Sequence, residues 1–149
     1  MLQLKICFIF VPEMNNTRFA TAVHILTLLA SEPEVWMSSE WIAKSININP
    51  VMVRRELAVL KEAGLVISKK GKEGGVTLGK SAKDIRFSDV LQAVNHSELL
   101  GRKNKNNNPD CRIGKQINEQ LNLLFHQIDE TVLKKLENKS LEDFLKQFR

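Results

Sequence analysis

A mainly α-helical fold with one small β wing follows from three observations in the sequence. Between residues 39 and 63, two helix-like segments flank a short turn. Directly after them, two brief apolar runs bracket a tip rich in glycine and lysine. Towards the C-terminus, apolar residues recur at spacings of three and four for about seven turns. Helix, turn, helix and two-stranded wing make a winged helix-turn-helix, and the long helix after it reads as a dimerisation arm.

The elements can be justified in order. Thr17 to Ala30 is the first helix, with Phe19, Val23, Leu26 and Ala30 at helical spacing. Glu32-Pro33-Glu34 breaks it, and Val35-Trp36-Met37 is long enough only for a short strand beside the wing. Ser38 or Ser39 caps a helix running to Ser45, and Ile46-Asn47-Ile48-Asn49 is a tight turn. Asn49 caps the next helix and Pro50 opens it, in a position where a missing N–H costs nothing. That helix runs to Ala63 and stops at Gly64. Leu65 to Ser68 and Val76 to Leu78 are the wing strands, and Gly71, Gly74 and Gly75 give their tip positive φ and close backbone approach. Ser88 caps a short helix over Asp89 to Val94, and the polar stretch Gly101 to Asp110 reads as a mobile loop. The long helix starts at Arg112 and carries Ile113, Ile117, Leu121, Leu124, Ile128, Val132 and Leu136. Ser140 and Asp143 start a last amphipathic helix bearing Leu141, Phe144, Leu145 and Phe148.

This divides the 149 residues into an N-terminal extension over 1–13, a winged domain over 14–95, a flexible linker over 96–111, and dimerisation and C-terminal helices over 112–149. The extension has the outline of a weak signal peptide, Lys5 followed by Ile6-Cys7-Phe8-Ile9-Phe10-Val11, but no small-residue cleavage site follows before Pro12-Glu13. Met14 is a candidate second start, and an added strand or apolar arm is the other reading. No run approaches the roughly 20 apolar residues of a membrane span. The two cysteines, Cys7 and Cys111, lack a CxxC partner, which fits a reducing cytosol and argues against a disulfide framework or zinc site.

The net charge of +5 suits a polyanionic partner. From Arg54 to Glu73 there are six basic residues against three acidic ones, Glu56, Glu62 and Glu73. A solvated helix face would explain such a cluster alone; on a helix-turn-helix, a DNA duplex explains it better. On the Pro50 helix, Val53, Leu57 and Leu60 form one stripe, Arg55 falls almost opposite, Val51 lies beside it and Arg54 sits on the flank. Arg55 and the helix start are the candidates for base edges, and Arg54 for a phosphate. The candidate DNA-binding set is Ser38, Ser39, Asn49, Pro50, Val51, Arg54, Arg55, Lys69, Lys70 and Lys72. The alternative for the adjacent arginines is pairing with Glu56 or Glu62. A nucleotide-phosphate loop is excluded, because neither GxxxxGK[ST] nor GxGxxG is present.

No catalytic constellation emerges. His24 and His126 lie within helices and read as structural, without a nucleophile or metal partner nearby in sequence, so an enzyme is not expected. Cys111 stands at the start of the long helix, where the dipole favours a thiolate. Arg102, Lys103, Arg112 and Lys115 surround it in sequence, while Asp110 opposes and is a candidate cap. Cys111 is thus either a redox sensor or an ordinary cysteine at a helix start.

Several runs resemble the Rrf2 family of bacterial transcriptional regulators: Arg18 to Leu26, Ile42-Ala43, Asn49-Pro50, Val53-Arg54-Arg55, Leu60, Ala63-Gly64-Leu65-Val66, Gly71, Gly74-Gly75, Leu78 and Asp89-Val90. The Asn-Pro-x-x-Val-Arg-Arg run is most similar to its YwnA-like branch. The resemblance implies a homodimer that binds a palindromic operator, usually as a repressor; the cysteine usage places it in the cytoplasm, and the effector, small-molecule or redox, is left open. The alternative is a protein-interaction adaptor on the same fold. Several family members hold an iron–sulfur cluster through three cysteines before the long helix. Here only Cys111 stands there, with His96 and Asp110 as conceivable extras, so no cofactor is expected. Val76 also departs, standing where the family often has an aromatic residue.

Overall fold

The computed structural model describes residues 17–148, so the extension over 1–13 lies outside the described residues. Helix α1, Arg18–Ser31, buries Ala22, Val23, Ile25, Leu26, Leu29 and Ala30. His24 stays on its exposed side rather than joining the apolar face. Helix α2, Ser39–Ile46, is capped by Ser38, whose Oγ accepts the Trp41 N–H at 3.1 Å. The chain then turns at Asn47, left-handed at φ 56° and ψ 48°, with its N–H closing back on the Ala43 carbonyl. Asparagine tolerates this region at far lower cost than a branched residue would.

Helix α3, Pro50–Glu62, begins as its sequence dictates. Asn49 Oδ1 accepts the Val51 N–H at 2.8 Å, and Pro50 fills the first turn. Val53, Leu57 and Leu60 are its buried stripe. The wing follows: strands β1, Val66–Lys69, and β2, Gly75–Leu78, pair antiparallel with Val66 opposite Leu78 and Lys69 opposite Gly75. The strand expected over residues 35–37 reduces to one bridge, in which Met37 and Val76 exchange both backbone hydrogen bonds, at 3.0 and 2.8 Å. That bridge explains Gly75, where a Cβ would stand 2.7 Å from the Met37 carbonyl oxygen. At Gly74 a Cβ would fall 2.2 Å from the Lys69 carbonyl oxygen, so the tip cannot close around a side chain.

A 3-10 turn, Ala82–Asp84, leads to helix α4, Phe87–Val94. The cap differs from the sequence reading. Ser88 lies inside the helix and is buried, and Asp89 instead reaches back to accept the Arg86 N–H at 3.2 Å. Helix α5, Arg112–Glu137, is followed by helix α6, Leu141–Leu145, and a 3-10 turn, Lys146–Phe148. Ser140 caps α6, its Oγ taking the Asp143 N–H at 3.1 Å and donating to Asp143 Oδ2 at 2.7 Å.

One core joins α1, α2, α3, the wing base and α4, and α6 belongs to it as well: Leu141 and Leu145 are buried with Ile25, Leu26 and Val90. The return of the chain is secured by backbone bonds from Phe87 to Lys139 and from Leu141 to Ile85. Edge-to-face rings then step from Phe19 to Phe87, Phe144 and Phe148, with centroids 6.3, 5.3 and 5.3 Å apart. Such pairs each add roughly 0.5–1.5 kcal/mol beyond their area.

Helix α5 behaves differently. It has 26 residues, and none of them is buried. The polar stretch before it, read from sequence as a mobile loop, is laid along α5 by specific contacts. Leu99 N–H meets Asp129 Oδ1 at 3.3 Å, Lys103 sits 5.2 Å over the Phe125 ring, and the Asn104 carbonyl accepts from Asn118 at 2.7 Å. Asparagine and lysine in this stretch supply polar partners along the flank of α5. No described helix is long and apolar enough to cross a membrane.

Candidate nucleic-acid interface

Burial of the α3 stripe leaves its other face to solvent. Val51 is 62% exposed and Met52 45%, and Arg54 and Arg55 are both exposed. The two arginines are not equivalent. Arg54 is held by Glu40 of α2 at 2.9 Å, which fixes it across the helix-turn-helix. The Glu40 carboxyl sits below its ordinary pKa, chiefly through its own backbone N–H and the Ser39 hydroxyl, with Arg54 adding charge. Arg55 is exposed and, among the described residues, has no hydrogen-bond or ion-pair partner.

The predicted residues fall into four overlapping groups. Ser38 and Asn49 each accept a helix-start amide through the side-chain oxygen, which leaves the Ser38 hydroxyl hydrogen and the Asn49 Nδ2 amide as donors. Ser38, Ser39, Arg54, Lys61, Ser68 and Gly71 line one groove of about 430 Å³ between α2, α3 and the wing. Pro50, Val51 and Arg55 form the exposed start and outer face of α3. In the wing, Lys69 lies 5.8 Å over the Trp36 ring, while Lys70 and Lys72 are exposed at the tip. Lys61 Nζ meets Ser68 Oγ at 2.6 Å and ties α3 to β1.

Two exposed apolar side chains were missed by the sequence reading. Met52 lies between Val51 and Val53 on α3, and Trp41 on α2 is 50% exposed. The signal was present: neither falls on the buried stripe of its helix, and both can contact base methyl groups or sugars.

Glu56 was also misread. It is no member of a solvated face but is 2% exposed, and its partner is neither adjacent arginine. Arg18 of α1 grips it with two bonds, Nε to Oε1 at 2.8 Å and Nη2 to Oε2 at 3.2 Å. A fork of this geometry holds the roll of α3 as well as its position.

At the start of α5 the cap is Cys111, not Asp110. Cys111 Sγ accepts the Gly114 N–H at 3.4 Å, while the Asp110 N–H turns back to Asn108. The amides of Gly114 and then Ile113 lower the thiol below its ordinary pKa, and this helix start, rather than the neighbouring cations, is the cause. Among the described residues no three His, Cys, Asp or Glu side chains converge, and Cys111, the cysteine among them, is spent on the helix cap, so those residues alone do not make the usual four-ligand set of an iron–sulfur cluster.

The sequence profile of the Rrf2 family, described as iron-dependent transcriptional regulators, matches residues 15–147. The chain belongs to the Rrf2 family. It is 39% identical over 132 residues to YwnA of Bacillus subtilis (strain 168), named as an HTH-type transcriptional regulator, and the match covers 89% of this chain and 97% of that one. A crystal structure described as that of a DNA-binding protein is 36% identical, with a TM-score of 0.68 over 86% of this chain and 98% of that one. A transcriptional regulator from Lactobacillus plantarum superposes with a TM-score of 0.73 at 25% identity, over 89% of each chain. The winged fold with its long C-terminal helix is therefore that of Rrf2 regulators, and the chain is a transcriptional regulator rather than an enzyme.

The Arg18–Glu56 fork yields a direct prediction. Glu56→Ala strands a largely buried guanidinium and should cost about 3 kcal/mol in urea unfolding. Arg18→Ala should cost a similar amount, and the double variant should cost clearly less than their sum. Additive losses would show that the two side chains do not act as a pair.

Proposed function

We propose that the chain works in the cytoplasm as a homodimeric repressor that places two copies of α3 in successive major grooves of a palindromic operator. The observation that carries the reading is the contrast between the helices. Every other α-helix buries side chains in the core, whereas the 26-residue α5 buries none. Ile113 is 62% exposed, Leu124 48% and Ile128 37%, while Ile117, Leu121, Val132 and Leu136 are half-buried, so part of the sequence-built apolar stripe is left open in the single chain. A twofold pairing of α5 with its counterpart covers both stripes at once and separates the two α3 helices for half-sites about 34–36 Å apart.

Leu124→Glu tests the pairing. The site is exposed in one chain, so the variant should fold with unchanged helicity, while the new carboxylate would be buried in the seam. Sedimentation should show a monomer at concentrations where the parent is a dimer. A parent that is itself monomeric at tens of micromolar would remove the palindrome from the reading.

Within the complex, Arg55 reads bases, Arg54 braced by Glu40 holds a phosphate, and Lys70 and Lys72 hold the flanking backbone. Arg55→Ala should lose about 1–3 kcal/mol on the specific site and relax preference at particular base pairs. Lys70→Ala or Lys72→Ala should weaken all sequences evenly and reduce the salt slope by up to about one. Binding that is insensitive to salt would favour the adaptor reading instead.

Cys111 is the proposed input. A peroxide oxygen attacked by the thiolate would leave S–OH on the protein and release hydroxide, altering the atom that caps α5. Because the folded state depresses the thiol pKa, the thiolate fraction at neutral pH exceeds that of the unfolded chain. Alkylation of Cys111 should therefore persist to lower pH in the native protein than in guanidinium. Mild peroxide should lower operator affinity of the parent but not of Cys111→Ser; equal responses would dismiss the sensor.

A further inference from the structure

We propose that the apolar groove between α1 and α6 is the docking site of this chain's own N-terminal segment, with Ile6 to Val11 as the occupant. The groove measures about 590 Å³, and Phe19, Val23, Leu28, Phe87, Phe144 and Phe148 form its walls. His24 stands exposed at its edge, and Phe148 is 66% exposed, so no described residue covers it. Continuous apolar surface of this kind on a single chain marks a binding site.

The occupant is argued from the sequence and the point of attachment. Ile6-Cys7-Phe8-Ile9-Phe10-Val11 is six uncharged apolar residues, with Lys5 marking the end of the run. Residues 12–17 join it to α1, and Phe19 in the first turn of that helix is already part of the groove wall. Six linking residues reach up to about 20 Å. The run itself, extended, also spans about 20 Å, against about 18 Å of α1 from Phe19 to Ser31. Pro12, Asn15 and Asn16 are residue types that reverse a chain, which lets the run double back along α1. Tethering supplies the run at an effective concentration in the millimolar range, which a second copy in solution cannot match. The segment lies ahead of the part of the chain matched by the family profile, so this cover belongs to the extension and not to the shared fold.

The full-length chain carrying Cys111→Ser retains Cys7 as its single thiol. Alkylation of Cys7 by N-ethylmaleimide should be at least about tenfold slower in the native protein than in guanidinium, equivalent to about 1.4 kcal/mol of protection. Phe148→Lys, placed at an exposed groove position, should return the rate towards the unfolded value. In a second arm, His24→Cys is added and the protein is treated with diamide, which takes up the two hydrogens released. The expected product is a disulfide within one chain between Cys7 and the thiol at position 24, formed faster than with Lys70→Cys at the wing tip. Alkylation of Cys7 at the unfolded rate would overturn the proposal. So would a disulfide that links two chains, which would assign the groove to a second copy, or equal trapping at groove and wing.

Discussion

The fork between Arg18 and Glu56 is the constraint on which the reading head depends. Helix α3 is short and amphipathic, and an apolar stripe of Val53, Leu57 and Leu60 alone would tolerate some rotation about its axis. Glu56 removes that tolerance, because its carboxylate can be buried only where two guanidinium donors meet it, at 2.8 and 3.2 Å. A buried ion pair contributes little net stability over a well-packed apolar substitute, since desolvation of both charges offsets their attraction. What it supplies is a single allowed orientation. With Glu56 locked inward, Arg55, one residue and about 100° away, has to face out.

The same logic of spent and unspent polar groups sorts the rest of the surface. Arg54 is occupied by Glu40, Lys61 by Ser68 and Lys69 by the Trp36 ring. These residues brace α2, α3 and the wing against one another. Each braced cation still projects positive potential, so bracing and phosphate attraction are compatible, whereas base reading needs a guanidinium free to aim. Removing Glu56 from the surface also changes the local balance: the six basic residues of the Arg54 to Glu73 segment face only Glu62 and Glu73 as exposed acids from that segment.

What was legible in the sequence was what local rules govern. Asn49-Pro50 announced a helix start, Gly64 its end, and the spacing of Val53, Leu57 and Leu60 the buried face; all three describe interactions within a few residues. Pairings across the fold were not legible. Arg18 and Glu56 are 38 residues apart, and Arg54 and Glu40 are 14 apart, so no periodicity announces either. The caps that were misplaced share one cause. Serine at position 88 and aspartate at position 110 have good cap chemistry, but Arg86 and Cys111 have the extended backbone of the cap position, and geometry decides. The candidate interface followed the same division: the face carrying Arg55 was readable, and the bracing that makes Arg54 different from it was not.

Helices α5 and α6 show how one stretch of chain can serve both an outer surface and the core. After 26 residues with no buried side chain, the backbone is captured at Ser140 and Leu141 and drops Leu141 and Leu145 among the residues of α1 and α4. The far end of α5 is thus anchored by apolar burial next to the Phe19–Phe87–Phe144 ring contacts. Its near end is held by polar contacts from the preceding loop and by the Cys111 cap. Apolar burial is insensitive to charge, while hydrogen bonds to a loop and a thiol cap are not. The two ends of α5 are therefore held by different physics, one indifferent to charge and one dependent on it.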